Sequence, residues 1–242
     1  MITNDVIKTL SIKYQTSEIN IRREYIQHLF LSYFYQQPAS KHIFFKGGTA
    51  LRIIYKSPRF SEDLDFGSTL RDIKETETAV LHTLEEIARE GIKSSIIESK
   101  QTTGGYLAII DFDLKAQIVR LRIETSFREH NLESEAEQII NDFIPAYIIN
   151  VLEKDQLIEG KLSALLDRQK PRDFYDLYFL LQSGLVSTEQ KQLLKNILPL
   201  VETTKINFSQ ELKIFLPASL WPIIKDFQAI LMRTVKRFMG LQ

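Results

Sequence analysis

Two aspartates, Asp63 and Asp65, stand two residues apart in the run Phe60-Ser-Glu-Asp-Leu-Asp-Phe66. Side chains alternate along a strand, so Ser61, Asp63 and Asp65 share one face while Leu64 and Phe66 turn to a core. Carboxylates held side by side repel unless a cation neutralises them. A hard divalent ion such as Mg²⁺ takes oxygen ligands of this kind and usually shares them with substrate phosphates. Ahead of the pair lies Lys46-Gly47-Gly48-Thr49. Glycines entering a helix expose backbone N–H groups and leave room for a phosphate, and Thr49 adds a hydroxyl. Together the two stretches hold the parts of a nucleoside-triphosphate (NTP) site: amides and a hydroxyl for phosphates, an acidic pair for Mg²⁺.

A third carboxylate would complete a two-metal site. In the run around Arg122, strand parity puts Arg120, Arg122, Glu124 and Ser126 on one face and Val119, Leu121 and Ile123 on the other. The apolar set must face the core, which leaves Glu124 on the polar face as a third ligand or as a base. The same Asp-x-Asp spacing recurs at Asp111-Phe-Asp113. No glycine–helix unit precedes it, so that second pair reads as ordinary surface.

A second cluster spans Lys161, Arg168, Lys170, Arg172, Asp173 and Asp176. Lys161, Leu165 and Arg168 fall on one helical face at i, i+4 and i+7. Arg172 can pair with Asp176 at i+4. From 160 to 172 there are four basic residues and one acid, an excess that suits a triphosphate or an RNA backbone. The plainer reading of the same residues is a lattice of intrahelical salt bridges.

The elements that must position these groups follow from periodicity and punctuation. Apolar residues recur at helical spacing over 17–37, with Ser17 as the cap and Pro38 as the stop. A short apolar strand is expected at 42–46, a helix at 50–55 and the acidic strand at 61–66. A charged amphipathic helix is expected over 70–90, stopped by Gly91. Strand-like runs at 92–99, 106–113 and 117–126 are separated by turn residues at 103–105 and 114–116. A short strand is expected at 146–151, then helices at 160–168, 173–181, 188–198, 209–215 and 221–239. This is an α+β pattern: a mixed sheet with flanking helices over 1–150, and a helical C-terminal subdomain over 151–242.

Composition narrows the chemistry. The chain has 242 residues, 44% hydrophobic and 26% charged, the balance of a sequence that buries a core. Lys plus Arg and Asp plus Glu are both 31, which argues against a protein that coats a polyanion by bulk charge. There is no cysteine, so disulfides, thiol catalysis and thiolate-bound zinc are excluded. The histidines at 28, 42, 82 and 130 are scattered, with no metal-binding pair. Neither a signal peptide nor a membrane span is legible, and a soluble cytoplasmic protein is expected.

Lys46-Gly-Gly-Thr-Ala-Leu-Arg52, Phe60-Ser-Glu-Asp-Leu-Asp-Phe66 and Lys161…Arg168…Arg172-Asp-Phe-Tyr-Asp-Leu177 together resemble the AbiEii/AbiGii-type nucleotidyltransferase toxins, within the polymerase-β-like superfold. The resemblance runs from about Phe34 to Gln182. It implies a toxin of a type IV-like toxin–antitoxin or abortive-infection system, with a cognate antitoxin as partner. Such a toxin transfers NMP from an NTP to RNA, the tRNA 3′ end being the implied target. By motif, Gly47, Gly48 and Thr49 would hold the phosphates, and Asp63, Asp65 and Glu124 the Mg²⁺. Lys161 would contact the triphosphate with Arg168 and Arg172 nearby, and Asp173 would be a further catalytic or structural carboxylate. Ser61 matches a serine beside the acidic pair that some relatives use in autoregulation. Two positions depart from the family pattern: Thr49 replaces the usual serine, and Glu124 replaces an aspartate. The same residues also admit a phosphotransferase, a protein adenylyltransferase or a non-catalytic nucleotide-binding regulator.

Overall fold

The computed structural model describes residues 1–70, 72–115 and 117–241. Arg71, in the expected 70–90 helix, and Ala116, in the expected 114–116 turn, lie outside the described residues, as does Gln242. Backbone contacts divide the chain into two units. One comprises Met1–Lys56 and Phe60–Glu153; the other comprises Ser57–Arg59 and the chain from Lys154 onward.

The first unit runs α1 (Asn4–Lys13), α2 (Glu18–Phe34), a 3₁₀ turn (Pro38–His42), β1 (Ile43–Lys46), α3 (Gly47–Ile53), β2 (Asp63–Ser68) and α4 (Ile73–Arg89). Five strands follow: β3 (Lys93–Thr102), β4 (Gly105–Asp113), β5 (Ile118–Ser126), β6 (Ser134–Ile139) and β7 (Tyr147–Leu152). Among the described residues they join β1 and β2 in one seven-stranded mixed sheet in the order β3-β4-β5-β2-β1-β7-β6. β2 runs parallel to β5 and β1 parallel to β7, while β1 and β2 pair antiparallel. The acidic strand is therefore central, flanked on both sides.

Alternation decides which way each strand faces. β5 alternates exposed and buried along almost its whole length, with Val119, Leu121 and Ile123 inward. On β2 the inward residues are Leu64 and Phe66. The Phe66 ring lies 5.2 Å from Phe34 of α2 and 5.6 Å from Phe45 of β1. α2 packs on β5 and β7 and beside α4, which covers β3 and β4. Because α2 is enclosed on most sides, its buried residues include Asn20, Glu24, Gln27 and His28 as well as the apolar set. A helix of that kind lacks the clean polar face of a surface helix.

The second unit is helical: α5 (Lys154–Arg168), α6 (Pro171–Gln182), α7 (Lys191–Thr203), α8 (Phe208–Phe215), a turn at Ala218–Leu220, α9 (Trp221–Lys225) and α10 (Phe227–Met239). Its core is aromatic, with Phe208 5.0 Å from Phe227 and 5.6 Å from Phe174. No helix among the described residues is long and apolar enough to cross a membrane.

Several elements differ from the sequence expectation. α1 forms as a separate helix capped by Thr3, whose hydroxyl accepts from the Val6 amide. α3 begins at Gly47 itself and ends at Ile53. α5 starts six residues before Gly160, which lies inside the helix with nothing within 4 Å of where a Cβ would stand. α7 continues through Pro199 to Thr203, and the expected 221–239 helix breaks at Asp226. β6 was not expected: its sequence, Ser-Glu-Ala-Glu-Gln-Ile, is polar because it is the sheet's edge.

Candidate active site

The centre of the first unit's candidate site is a close contact between backbone and carboxylate. Gly47 follows β1 directly and has φ +84°, in the left-handed region that favours glycine. A Cβ built there would lie 2.1 Å from Asp65 Oδ2 and 2.7 Å from Asp65 Cβ. Glycine is thus required twice, for its dihedral and for the approach of Asp65. Gly48 and Thr49 continue into α3, and both are buried. Thr49 is 0% exposed, and its hydroxyl donates to the backbone carbonyl of Asp63 at 2.5 Å. That bond ties the start of the acidic strand to the glycine turn.

Asp63 and Asp65 are both half-buried on the open face of β2. Across the parallel pairing Asp63 is in register with Arg122 and Asp65 with Glu124. Glu124 therefore stands on the same face and one strand away, where strand parity put it. Its carboxylate, however, is held by Arg122, through Nε at 2.5 Å and through Nη2, in a largely exposed pair. Among the described residues no three His, Cys, Asp or Glu side chains are grouped so as to hold a metal. The donor set still fits a divalent cation. Mg²⁺ commonly takes one or two carboxylates and completes its octahedron with water and phosphate oxygens, and Asp63 with Asp65 supplies that pair.

Asp111 shows what a cross-strand cation does to the same spacing. Arg120, its partner in register on β5, forms a two-point pair with it at 2.7 and 2.8 Å. The adjacent guanidinium holds the Asp111 carboxyl below its ordinary range.

The lead-in to β2 is fixed by α2. Gln27, 1% exposed, donates its side-chain amide to the carbonyls of Ser61 and Glu62 at 3.0 and 3.2 Å. Arg23 pairs with Glu62 at 3.1 Å. Arg52, the last residue of the Lys-Gly-Gly-Thr-Ala-Leu-Arg run, lies over the Phe60 ring at 3.8 Å and forms a two-point pair with Glu24 at 2.9 and 3.2 Å. Ser61 is thus half-buried at the mouth of the strand with its carbonyl engaged. Glu24 and Gln27 were missed from sequence. Their signal is a pair of polar residues at i and i+3 inside a helix that is otherwise enclosed.

The basic cluster belongs to the second unit, where Lys161, Arg168 and Arg172 each face an acid. Lys161, 9% exposed, pairs with Asp176 at 3.0 Å, and Arg59 forms a two-point pair with the same carboxylate at 2.7 and 3.0 Å. Burial alone would raise the Asp176 carboxyl, but Arg59 and Lys161 hold it below the ordinary range. Arg168 grips Asp173 at 2.6 Å. Asp173 also accepts the Lys170 amide at 3.1 Å, so it caps α6. Arg172 faces Glu211 at 3.4 Å, not the Asp176 that its spacing suggested, because Asp176 is taken by Arg59 and Lys161.

Solved structures share this architecture. The chain is similar to JHP933 from Helicobacter pylori, with TM-score 0.69 and 21% identity over 93% of this chain and 94% of that one. It is also similar to an H. pylori protein described as a candidate nucleotidyltransferase, with TM-score 0.67 and 20% identity over 93% and 96% of the two chains. At these identities the likeness shows the fold. No curated protein matches the sequence. Residues 29–235 match the family described as "Nucleotidyl transferase AbiEii toxin, Type IV TA system", a span that takes in the glycine turn, the acidic strand and the basic cluster. By that match the chain belongs to the AbiEii family of nucleotidyl transferase toxins of type IV toxin–antitoxin systems.

Proposed function

We propose that this protein transfers a nucleotide from an NTP to RNA, with the 3′ end of tRNA as the acceptor, in a reaction that needs Mg²⁺. The observation that carries the reading is the contact of Gly47 with Asp65, which joins the glycine turn and the acidic strand into one site. Asp63 and Asp65 would hold the cation, and the backbone where β1 turns into α3 at Gly47 would receive the triphosphate. Mg²⁺ bound there supplies charge stabilisation at the phosphates. The 3′-hydroxyl oxygen attacks the α-phosphorus, and the bond to the bridging oxygen of the β-phosphate breaks. Pyrophosphate leaves with the electron pair of that bond. We assign the hydroxyl proton to Glu124, in register with Asp65, once its carboxylate exchanges its contact with Arg122. Within the second unit, Lys161 and Asp173 are held by Asp176 and Arg168, pairs that join α5 to α6.

Membership of a toxin–antitoxin family also implies an antitoxin that restrains the activity, and a tRNA acceptor would place the protein in the cytoplasm. Incubation with each labelled NTP, Mg²⁺ and total RNA, followed by mass analysis of the products, tests the reading. A tRNA heavier by one or more nucleotides is expected. A product heavier by a single phosphate would assign a phosphotransferase, and label on protein alone an adenylyltransferase.

A further inference from the structure

Lys46 ends β1 and precedes Gly47, and in the antiparallel pairing of β1 with β2 it stands directly opposite Asp65. Directly opposed residues point to the same side of a sheet with Cβ atoms about 5 Å apart. An ammonium is therefore carried on the same face as the acidic pair and one strand away. Its partner is Glu129, from the β5–β6 connection, with side chains 22% and 35% exposed. That connection lies over the end of β2. A Cβ on Gly67 would be 3.0 Å from Leu132 Cδ1 and 3.2 Å from Glu129 Oε2. The Glu129 carboxylate thus hangs above the strand two residues beyond Asp65 and draws Lys46 toward it.

Lys46 differs in setting from the other cations considered for the triphosphate. Lys161 is buried with Asp176, and Arg168 is fixed on the capping carboxylate of α6. Lys46 is partly exposed, carried on a flexible stem, and held by one carboxylate that is itself partly exposed. A single, partly exposed partner leaves the ammonium able to exchange one anion for another. A triphosphate entering at Gly47 brings several negative charges to the residue beside Lys46, and an ammonium binds phosphate as a point charge without needing a fixed fork geometry.

We propose that Lys46 binds the triphosphate of the incoming nucleotide and that Glu129 holds it in place until the nucleotide arrives. The proposal rests on the nucleotidyltransferase reading above. It adds a binding residue and a competing carboxylate to that site.

The test is calorimetric titration of the full-length protein, in Mg²⁺, with each NTP and with the matching nucleoside monophosphate, together with the KM and kcat of transfer. Losing a charge-assisted phosphate contact should weaken NTP binding by about ten- to a hundredfold in Lys46→Met. KM should rise with it, while monophosphate binding is unchanged and Lys46→Arg restores most of the affinity. Glu129→Gln removes the competitor and should bind NTP as tightly as the wild type or tighter. The proposal is overturned if Lys46→Met binds NTP like the wild type. It is overturned equally if Glu129→Gln weakens binding as much as Lys46→Met, the pattern of an ion pair that only anchors the connection. Should Lys46→Met fail to melt cooperatively, Glu129→Gln decides alone, since weakened binding there contradicts competition. A wild-type protein that binds and transfers no NTP overturns the nucleotidyltransferase reading as well. One that does both, beside an unaffected Lys46→Met, overturns the role of Lys46 only.

Discussion

At the scale of single residues, the site depends on a position where any side chain would collide. Alanine at Gly47 must adopt φ +84° and place its Cβ inside the Asp65 carboxylate. The dihedral alone costs about 1 kcal/mol, and relieving the clash moves Asp65 off its position. Gly47→Ala should fold with stability lowered by about 1–3 kcal/mol and lose nucleotide transfer far beyond that loss, which thermal melts and activity on one preparation will check. His28 gives a different readout. It is 4% exposed on α2, 2.8 Å from the Tyr147 hydroxyl, and burial, reinforced by Lys56 and Arg52, pushes its pKa down to about 3. The folded state keeps it neutral while the unfolded chain protonates it near 6.5. Its contribution is therefore complete above pH 6.5 and is lost as pH falls toward 3, at up to about 1.4 kcal/mol per pH unit. Denaturant unfolding between pH 7 and 5 should show that slope, and His28→Gln should flatten it. Neither residue's constraint was equally visible in sequence. The glycine pair stood out, but Asp65 lies against Gly47, the first of the pair, and a lone histidine in an apolar helix gave no sign of its tyrosine partner.

At the scale of elements, the site is held by strand register. Leu64 and Phe66 face the core and Asp63 and Asp65 face outward, so a one-residue slip of β2 would bury both carboxylates. Phe66, 1% exposed against Phe34 and Phe45, locks the strand against that slip. Phe66→Ala should cost about 3–5 kcal/mol in chemical denaturation. Strands with one buried face were legible because their alternation is strict, β5 most clearly, and that parity put Glu124 on the outward face. What parity could not give was the side chain's partner, since Arg122, two residues earlier on the same face, takes the carboxylate. β6 was illegible for the opposite reason: an acidic edge strand has no apolar period to read. The hydroxyl of Thr49 marks a further limit. Its type suggested a phosphate ligand, but its burial and its bond to Asp63 make it a tie between α3 and β2.

At the scale of the whole molecule, a net charge of zero conceals two separate arrangements of charge. The first unit carries a carboxylate pair on an open sheet face. In the second, Arg59 and Lys161 lie on Asp176, Arg168 on Asp173, and Arg172 faces Glu211. The spacing of the basic cluster was plain in the sequence. Its partners were not, because Arg59 arrives from a connection 117 residues before Asp176 along the chain and Glu211 from a different helix. The claim that unites these levels is nucleotide transfer through Asp63 and Asp65. The direct measurement is incorporation of labelled NTP into total RNA with Mg²⁺, comparing the wild type with Asp63→Asn and Asp65→Asn at matched, folded concentration. Transfer through this pair predicts incorporation by the wild type and none by either variant. Incorporation that survives both substitutions would contradict it.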